Sequence, residues 1–370
     1  MKRIGILLCL ALALLPAGRA SEGFTVAAKG AVLIDGASGR VLFGQNENAR
    51  YPMASTTKVM TTLLALENAP LDAQVTAGKN AAGVTGTSLY LSEGETLSME
   101  HMLYGLMLRS GNDAAVAVAE HIAGSVADFA DMMNARAAEL NADAHFVNPH
   151  GLDADGHETS ALGLARIMRE ALRNPQFREI TGTKRKIIPW VGNEYSRVLE
   201  NKNRLLTSYE GATGGKTGFT NRAGRCLVFS AERDGLELIG AVLNCPTWFD
   251  TAEAMLDYGF ERFRLERAYE RGAAVRAVPV LNGEAGAVNA VADGDLAGAV
   301  PIGGSVDVVV TLPDSLEAPV QAGTVLGTAA LHAGGQTVAQ CNLVAGEGVA
   351  RLDVAQAFKR VLRNWVLLFR

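Results

Sequence analysis

The spacing of apolar positions changes several times along the chain, and each change marks a boundary. After Lys2 and Arg3, "IGILLCLALALL" is apolar without any period. A basic start, an apolar run of this length and the small residues Gly18 and Ala20 predict a signal peptide over 1–20, with Ser21 first in the mature chain. The run is too short to span a bilayer comfortably. "AVLID" and "RVLFGQN" then flank "GASG" and predict a β-hairpin. Helical spacing follows, in a helix from near Ser55 to about Asn68 and in "SMEHMLYGLMLRS", which breaks at Gly111 and resumes as "DAAVAVAEHIAG". "VADFADMMNARAAEL" and "TSALGLARIMREAL" predict two more helices. Strand patterns return in "RKIIPWV", "GGKTGF", "CLVFSAER" and "LELIGAVLN", and "TWFDTAEAMLDYGF" closes the region as a helix. Strands at both ends around a helical middle predict an α+β domain over 21–263, in layers.

Beyond Phe263 the pattern shortens. "AAVRAVPVL", "GAVNAVAD", "VDVVVTLP", "TVLGTAALHAG" and "QTVAQCNLVAG" are short strands punctuated by Gly, Asp and Pro. They predict a small all-β domain over 264–350, with no catalytic constellation in it. The end differs again. In "DVAQAFKRVLRNWVLLFR", Val354, Phe358, Val361, Leu362, Trp365, Leu368 and Phe369 share one helical face, opposite Lys359, Arg360, Arg363 and Arg370. This predicts an amphipathic helix over 353–370 lying in a membrane interface, too short and too charged to span. The alternative is a terminal helix docked on the protein.

Composition narrows the picture. A chain of 370 residues, 48% hydrophobic, is long enough for two domains with substantial cores. Losing the three basic residues Lys2, Arg3 and Arg19 takes the formal net charge from −5 to −8. An acidic exported chain argues against nucleic acid as partner. Cys226, Cys245 and Cys341 are too few for a disulfide scaffold. A two-residue turn at Asp234-Gly235 sets Cys226 and Cys245 diagonally, near the limit for a bridge, so a disulfide and two free thiols both stay open.

The chemistry gathers around Ser55. In "MASTTKVMTTLLALE", Ser55 and Lys58 are three residues apart, which puts them on one helical face. A serine starting a helix can be only a cap, and lysine becomes a base only if burial or a second cation lowers its pKa. "EGATGGKTGFTNRAG" supplies that cation as Lys216, beside the Thr217 hydroxyl and a Gly218 that permits close backbone approach. Ser110 and Asn112, in "RSGND", sit at the break between two helices and can enter the same cleft. Each triplet is weak alone. The order SxxK, SxN, KTG, with gaps of about 50 and 100 residues, is specific.

This set resembles the penicilloyl-serine transferases, and within them the low-molecular-mass penicillin-binding proteins that are D-alanyl-D-alanine carboxypeptidases of serine peptidase family S11. The resemblance extends through "LMLRSGNDAAVAVAE", "FVNPHGLDADGHETSA", "NKNRLL", the β-rich second domain and the terminal helix. It implies a β-lactamase-like domain with an antiparallel sheet, no cofactor, and a wall stem peptide ending in D-Ala-D-Ala as substrate. It also implies β-lactam antibiotics as ligands and a location on the outer face of the cytoplasmic membrane. Ser55 would be the nucleophile, Lys58 its base and Ser110 a proton relay. Asn112, Lys216, Thr217, Gly218 and Phe219 would bind substrate, with the backbone N–H groups of Ser55 and Phe219 as oxyanion hole. Lys202 in "NKNRLL" takes the place of an Arg of some relatives, and Phe219 that of a His.

Three rival readings are weighed against this. A β-lactamase predicts a deacylating ExxLN-like motif that Glu139-Leu140-Asn141 does not match. A D,D-endopeptidase cutting crosslinks would use the same residues. An idle wall-binding protein predicts damage to SxxK, SxN or KTG, and all three are intact. His145, His150 and His157 have spacings of five and seven and no HExxH, so no metal is expected. Asn148, Gly151, Asp153 and His157 are expected to shape a loop beside the site.

Overall fold

The structure is a computed structural model and describes residues 23–353 and Phe358. The expected signal peptide, 1–20, lies outside the described residues, as does the expected helix over 353–370 apart from Asp353 and Phe358.

Five strands form the central antiparallel sheet: β1 (Gly30–Asp35), β2 (Val41–Gln45), β3 (Ala212–Thr220), β4 (Gly224–Arg233) and β5 (Leu236–Leu243). Their spatial order is β3-β4-β5-β1-β2, so the first hairpin closes onto the last strand, with Ile34 opposite Ile239. Every residue of β1 is buried because both faces are covered. Val32 and Ile34 join the core under the helical middle, while Ala31 and Leu33 join a second core on the opposite face. The main helices are α1 (Lys58–Asn68), α2 (Asn112–Ala123), α3 (Val126–Glu139), α4 (Ala161–Ala171) and α5 (Trp248–Arg262). Met60, Leu64, Val118, Phe129 and Ile167 from the first four fill one core, and Met255 and Leu256 of α5 fill the other. The expected layered α+β domain is therefore present.

Local chemistry sets the element ends. Ser125 and Ser160 cap α3 and α4 by accepting from Asp128 N at 3.0 Å and Gly163 N at 2.9 Å. The β4–β5 turn holds two residues, Asp234 (φ 50°) and Gly235 (φ 78°), and leaves Arg233 opposite Leu236. Cys226 and Cys245 are buried free thiols. They belong to cores on opposite faces of the sheet, which rules out a bridge between them. A helix over Pro175–Gly182, capped by Asn174, was not predicted. Its eight residues bury only Phe177, Ile180 and Thr181, too few to establish a period.

The second domain is all β, as expected. A six-stranded sheet runs in the order Val306–Thr311, Val325–Ala333, Gln336–Ala345, Ala287–Ala292, Ala274–Leu281, Leu316–Glu317. A two-stranded sheet of Phe263–Tyr269 and Leu296–Pro301 sits beside it. The domains are joined at Asp35, whose fully buried carboxylate accepts from Ala37 N, Ser38 N, the Ser38 hydroxyl and Ala299 N across the junction. Arg40 Nη2 donates back to Ala299 O at 2.6 Å.

Candidate active site

Ser55 does not open an α-helix directly. Ala54–Thr57 is a turn of 3₁₀ helix and α1 begins at Lys58. The tighter winding eclipses residues i and i+3, so it aligns Lys58 with Ser55 more closely than an α-turn would. Lys58 Nζ lies 3.0 Å from Ser55 Oγ, 2.8 Å from Asn112 Oδ1 and 2.6 Å from the His150 carbonyl oxygen. Its side chain is fully buried.

That burial, reinforced by the charges of Lys216 and Lys202, holds Lys58 well below the ordinary lysine range. Lys216, also buried, is pushed down to about 7 by desolvation and then by Lys202. Lys202 is itself lowered by burial and by Arg109. A neutral amine has two N–H donors and one lone pair. In its neutral form Lys58 would keep its two donors for Asn112 Oδ1 and the His150 carbonyl and leave its lone pair for Ser55 Oγ, the position a general base must take.

The second wall comes from the break between helices. Gly105–Arg109 winds as a π-helix and ends on Ser110, whose φ of 69° is left-handed. The break spans Ser110 and the expected Gly111, and the next helix starts at Asn112. Ser110 and Asn112 are both buried. Asn112 Nδ2 donates to Thr85 O at 2.7 Å, and its own N–H donates to Thr87 O at 2.7 Å. The loop supplying these carbonyls is held by Asp113, which accepts from Leu89 N and Leu91 N. A buried Arg197–Glu95 pair, with Arg197 Nε on Leu89 O, adds to this.

Strand β3 forms the third wall. Lys216 Nζ donates to the Thr217 carbonyl at 2.9 Å, and Phe219 is exposed at the rim. A Cβ built on Gly218 would stand 2.8 Å from Ser55 N, so only glycine lets the strand lie this close to the Ser55 turn.

The polar loop of residues 144–157 is the part sequence reasoning placed only roughly. A Cβ at Gly151, whose φ is 89°, would lie 2.0 Å from Ala54 O. His157 Nδ1 accepts from Val147 N at 3.0 Å, which leaves Nε2–H to donate to Thr57 Oγ1 at 2.8 Å. Thr57 in turn donates to Ala54 O. His157, pushed down to about 4 mainly by burial, is a neutral strut under the Ser55 turn. His150 contributes its carbonyl to Lys58, and His145 Nδ1 meets Gly156 O. The loop's richness in Asn, Gly and His was the only signal for these roles.

Comparison with known proteins agrees with this geometry. The family model for D-alanyl-D-alanine carboxypeptidases matches residues 17–247, and the model for the C-terminal domain of penicillin-binding protein 5 matches residues 263–351. The D-alanyl-D-alanine carboxypeptidase DacF of Bacillus subtilis is 31% identical over 360 residues, covering 94% of this chain and 92% of its own. DacA of Escherichia coli is 32% identical over 350 residues, 85% of this chain and 81% of its own. The structure of penicillin-binding protein 5 from Haemophilus influenzae superposes with a TM-score of 0.79 at 29% identity, covering 90% of this chain and all of that one. With a matched family model over most of its length and a Ser-Lys centre in place, the chain belongs to the D-alanyl-D-alanine carboxypeptidases of serine peptidase family S11.

Proposed function

We propose that Ser55, Lys58 and Ser110 carry out the carboxypeptidase reaction on a wall stem peptide ending in D-Ala-D-Ala. The observation that carries this reading is the 3.0 Å approach of a buried, pKa-depressed Lys58 to Ser55 Oγ. Lys58 takes the hydroxyl proton as Ser55 Oγ attacks the carbonyl between the two D-alanines. The oxyanion forms against the backbone N–H groups of Ser55 and Phe219, an arrangement whose loss costs about 3–4 kcal/mol of transition-state stabilisation. Ser110 passes the proton to the departing D-alanine amine, the C–N bond breaks and the acyl group stays on Ser55. Lys58 is then neutral again and takes a proton from the water that releases the shortened peptide.

Thr217, Lys216 and Lys202 receive the terminal carboxylate, Lys202 as a point charge. Asn112 holds the acyl-side amide. Gly218 lets the substrate backbone lie along β3, and Phe219 lines the leaving-group end. A penicillin enters the same way and remains attached. The basic-then-apolar first 20 residues support export, and the amphipathic pattern of 353–370 supports attachment to the outer membrane face.

The test is labelling with a fluorescent penicillin: wild type labels and Ser55→Ala does not. Equal labelling overturns the nucleophile. D-Alanine release from a pentapeptide, against cleavage of a crosslinked dimer, separates carboxypeptidase from endopeptidase action.

A further inference from the structure

Between the two domains lies a cleft of about 960 Å³ that shares no residue with the Ser55 site. Five arginines line it: Arg169, Arg173 and Arg178 from the first domain, Arg267 and Arg271 from the second. Glu232, Glu237 and Asp295 stand against them. Glu170, paired with Arg173, and Glu270, 3.8 Å from Arg267, add two carboxylates at the edge, so the five cations meet five anions and what distinguishes the cleft is its uncommitted guanidinium donors.

Two of the five guanidiniums are committed. Arg178 closes a bidentate pair with Glu237 at 2.7 and 3.0 Å. Arg169 donates to the carbonyls of Gly36 and Ala37 in the β1–β2 turn. The other three keep open donors. Arg173 spends one nitrogen on Glu170 at 2.9 Å. Arg267 comes no nearer than 3.8 Å to Glu270 and Asp295, too far for a hydrogen bond. Arg271 contacts Asp295 through its backbone N–H, at 2.8 Å, and its guanidinium is in no ion pair among the described residues. Past Arg271 the cleft runs on into a second hollow of about 420 Å³, lined by Asp293, Asp295, Gln340 and Asn342, with the Asp293 carboxylate already accepting from Asn342 N and Nδ2.

Guanidinium donors left open on both walls are free to be met by the oxygens of an anion. A guanidinium fork matches the oxygens of phosphate, and three forks along an elongated groove need several anionic groups in a row. We infer that this interdomain groove binds an extended phosphate-bearing anion, held by Arg173, Arg267 and Arg271. Bound there, the anion touches both domains and stabilises their junction by mass action.

The full chain is titrated calorimetrically with tripolyphosphate at low and high salt, beside inorganic phosphate, polyglutamate and phosphatidylglycerol vesicles. Tripolyphosphate is expected to bind, to weaken with salt, and to exceed inorganic phosphate by at least about tenfold. Arg267→Glu with Arg271→Glu should weaken it at least about tenfold. The matched pair Arg262→Glu with Arg276→Glu, exposed but outside the groove, should keep wild-type affinity. Both double variants should still release D-alanine from a soluble peptide, which verifies folding. Absent binding, equal losses in the two pairs, phosphate as tight as tripolyphosphate, or preference for polyglutamate or vesicles would each overturn the inference.

Discussion

Gly218 faces the backbone nitrogen of Ser55 so closely that a Cβ on it would stand 2.8 Å from that nitrogen, with Thr56 N at 3.0 Å. Both neighbours are backbone, anchored by the 3₁₀ turn, and neither can rotate away. Gly218→Ala is expected to push β3 off the nucleophile turn and open the oxyanion hole. Overpacking of this kind costs about 1–3 kcal/mol, and kcat/KM on a D-Ala-D-Ala peptide should fall about a hundredfold. Retention of wild-type kcat/KM would show that the strand does not set the hole.

Asn112 Oδ1 accepts from Lys58 Nζ at 2.8 Å. Asn112→Asp places a carboxylate there and raises the Lys58 pKa, so the amine is protonated at neutral pH. Penicillin acylation at pH 7 should drop about a hundredfold or more and recover as pH rises. Asn112→Ala lacks the new charge, so its deficit should vary less with pH. Parallel pH profiles for the two variants would remove the charge argument.

Lys216 is pushed from 10.5 to about 7, so the unfolded chain binds a proton that the folded chain releases between those values. Stability is therefore lost as pH falls from 10.5 to about 7, and the loss is complete below. Lys216→Met has no such group. Its melting temperature relative to wild type should rise over that window and then level off, by calorimetry at several pH values. A difference that stays flat with pH would mean that Lys216 is not buried as a titrating cation.

Asp35 ties β1 to the second domain through Ala299 N at 2.9 Å. Asp35→Ala leaves buried N–H donors on both sides of the junction and should cost about 2–4 kcal/mol. Denaturant unfolding measures this. The Ser55 site is built from the 3₁₀ turn, α1, the helix break and β3 rather than from β1, so turnover per folded molecule on a soluble peptide should be unchanged. A turnover loss larger than the loss of folded protein would mean the junction reaches the site.

Removal of residues 353–370 is expected to abolish co-sedimentation with anionic vesicles and leave soluble turnover intact. Unchanged sedimentation would remove the proposed interfacial helix.

The periodicity of the chain determined most of the fold, because long amphipathic helices and alternating strands carry their period locally. "TSALGLARIMREAL" and "LELIGAVLN" needed no partner to be read. Short segments such as Pro175–Gly182 were missed because two or three apolar residues define no period. The site's chemistry was also legible, since SxxK, SxN and KTG name their own side chains. Sequence spacing could not say how three segments separated by about 50 and 100 residues would meet. Tertiary structure decided that, and with it the pKa of Lys58, because desolvation and the field of Lys216 exist only once the walls close. It also decided the roles carried by backbone atoms: the carbonyls of His150 and Thr85 and the nitrogen of Ser55. Every residue has those atoms, so only the folded chain determines which ones reach the site.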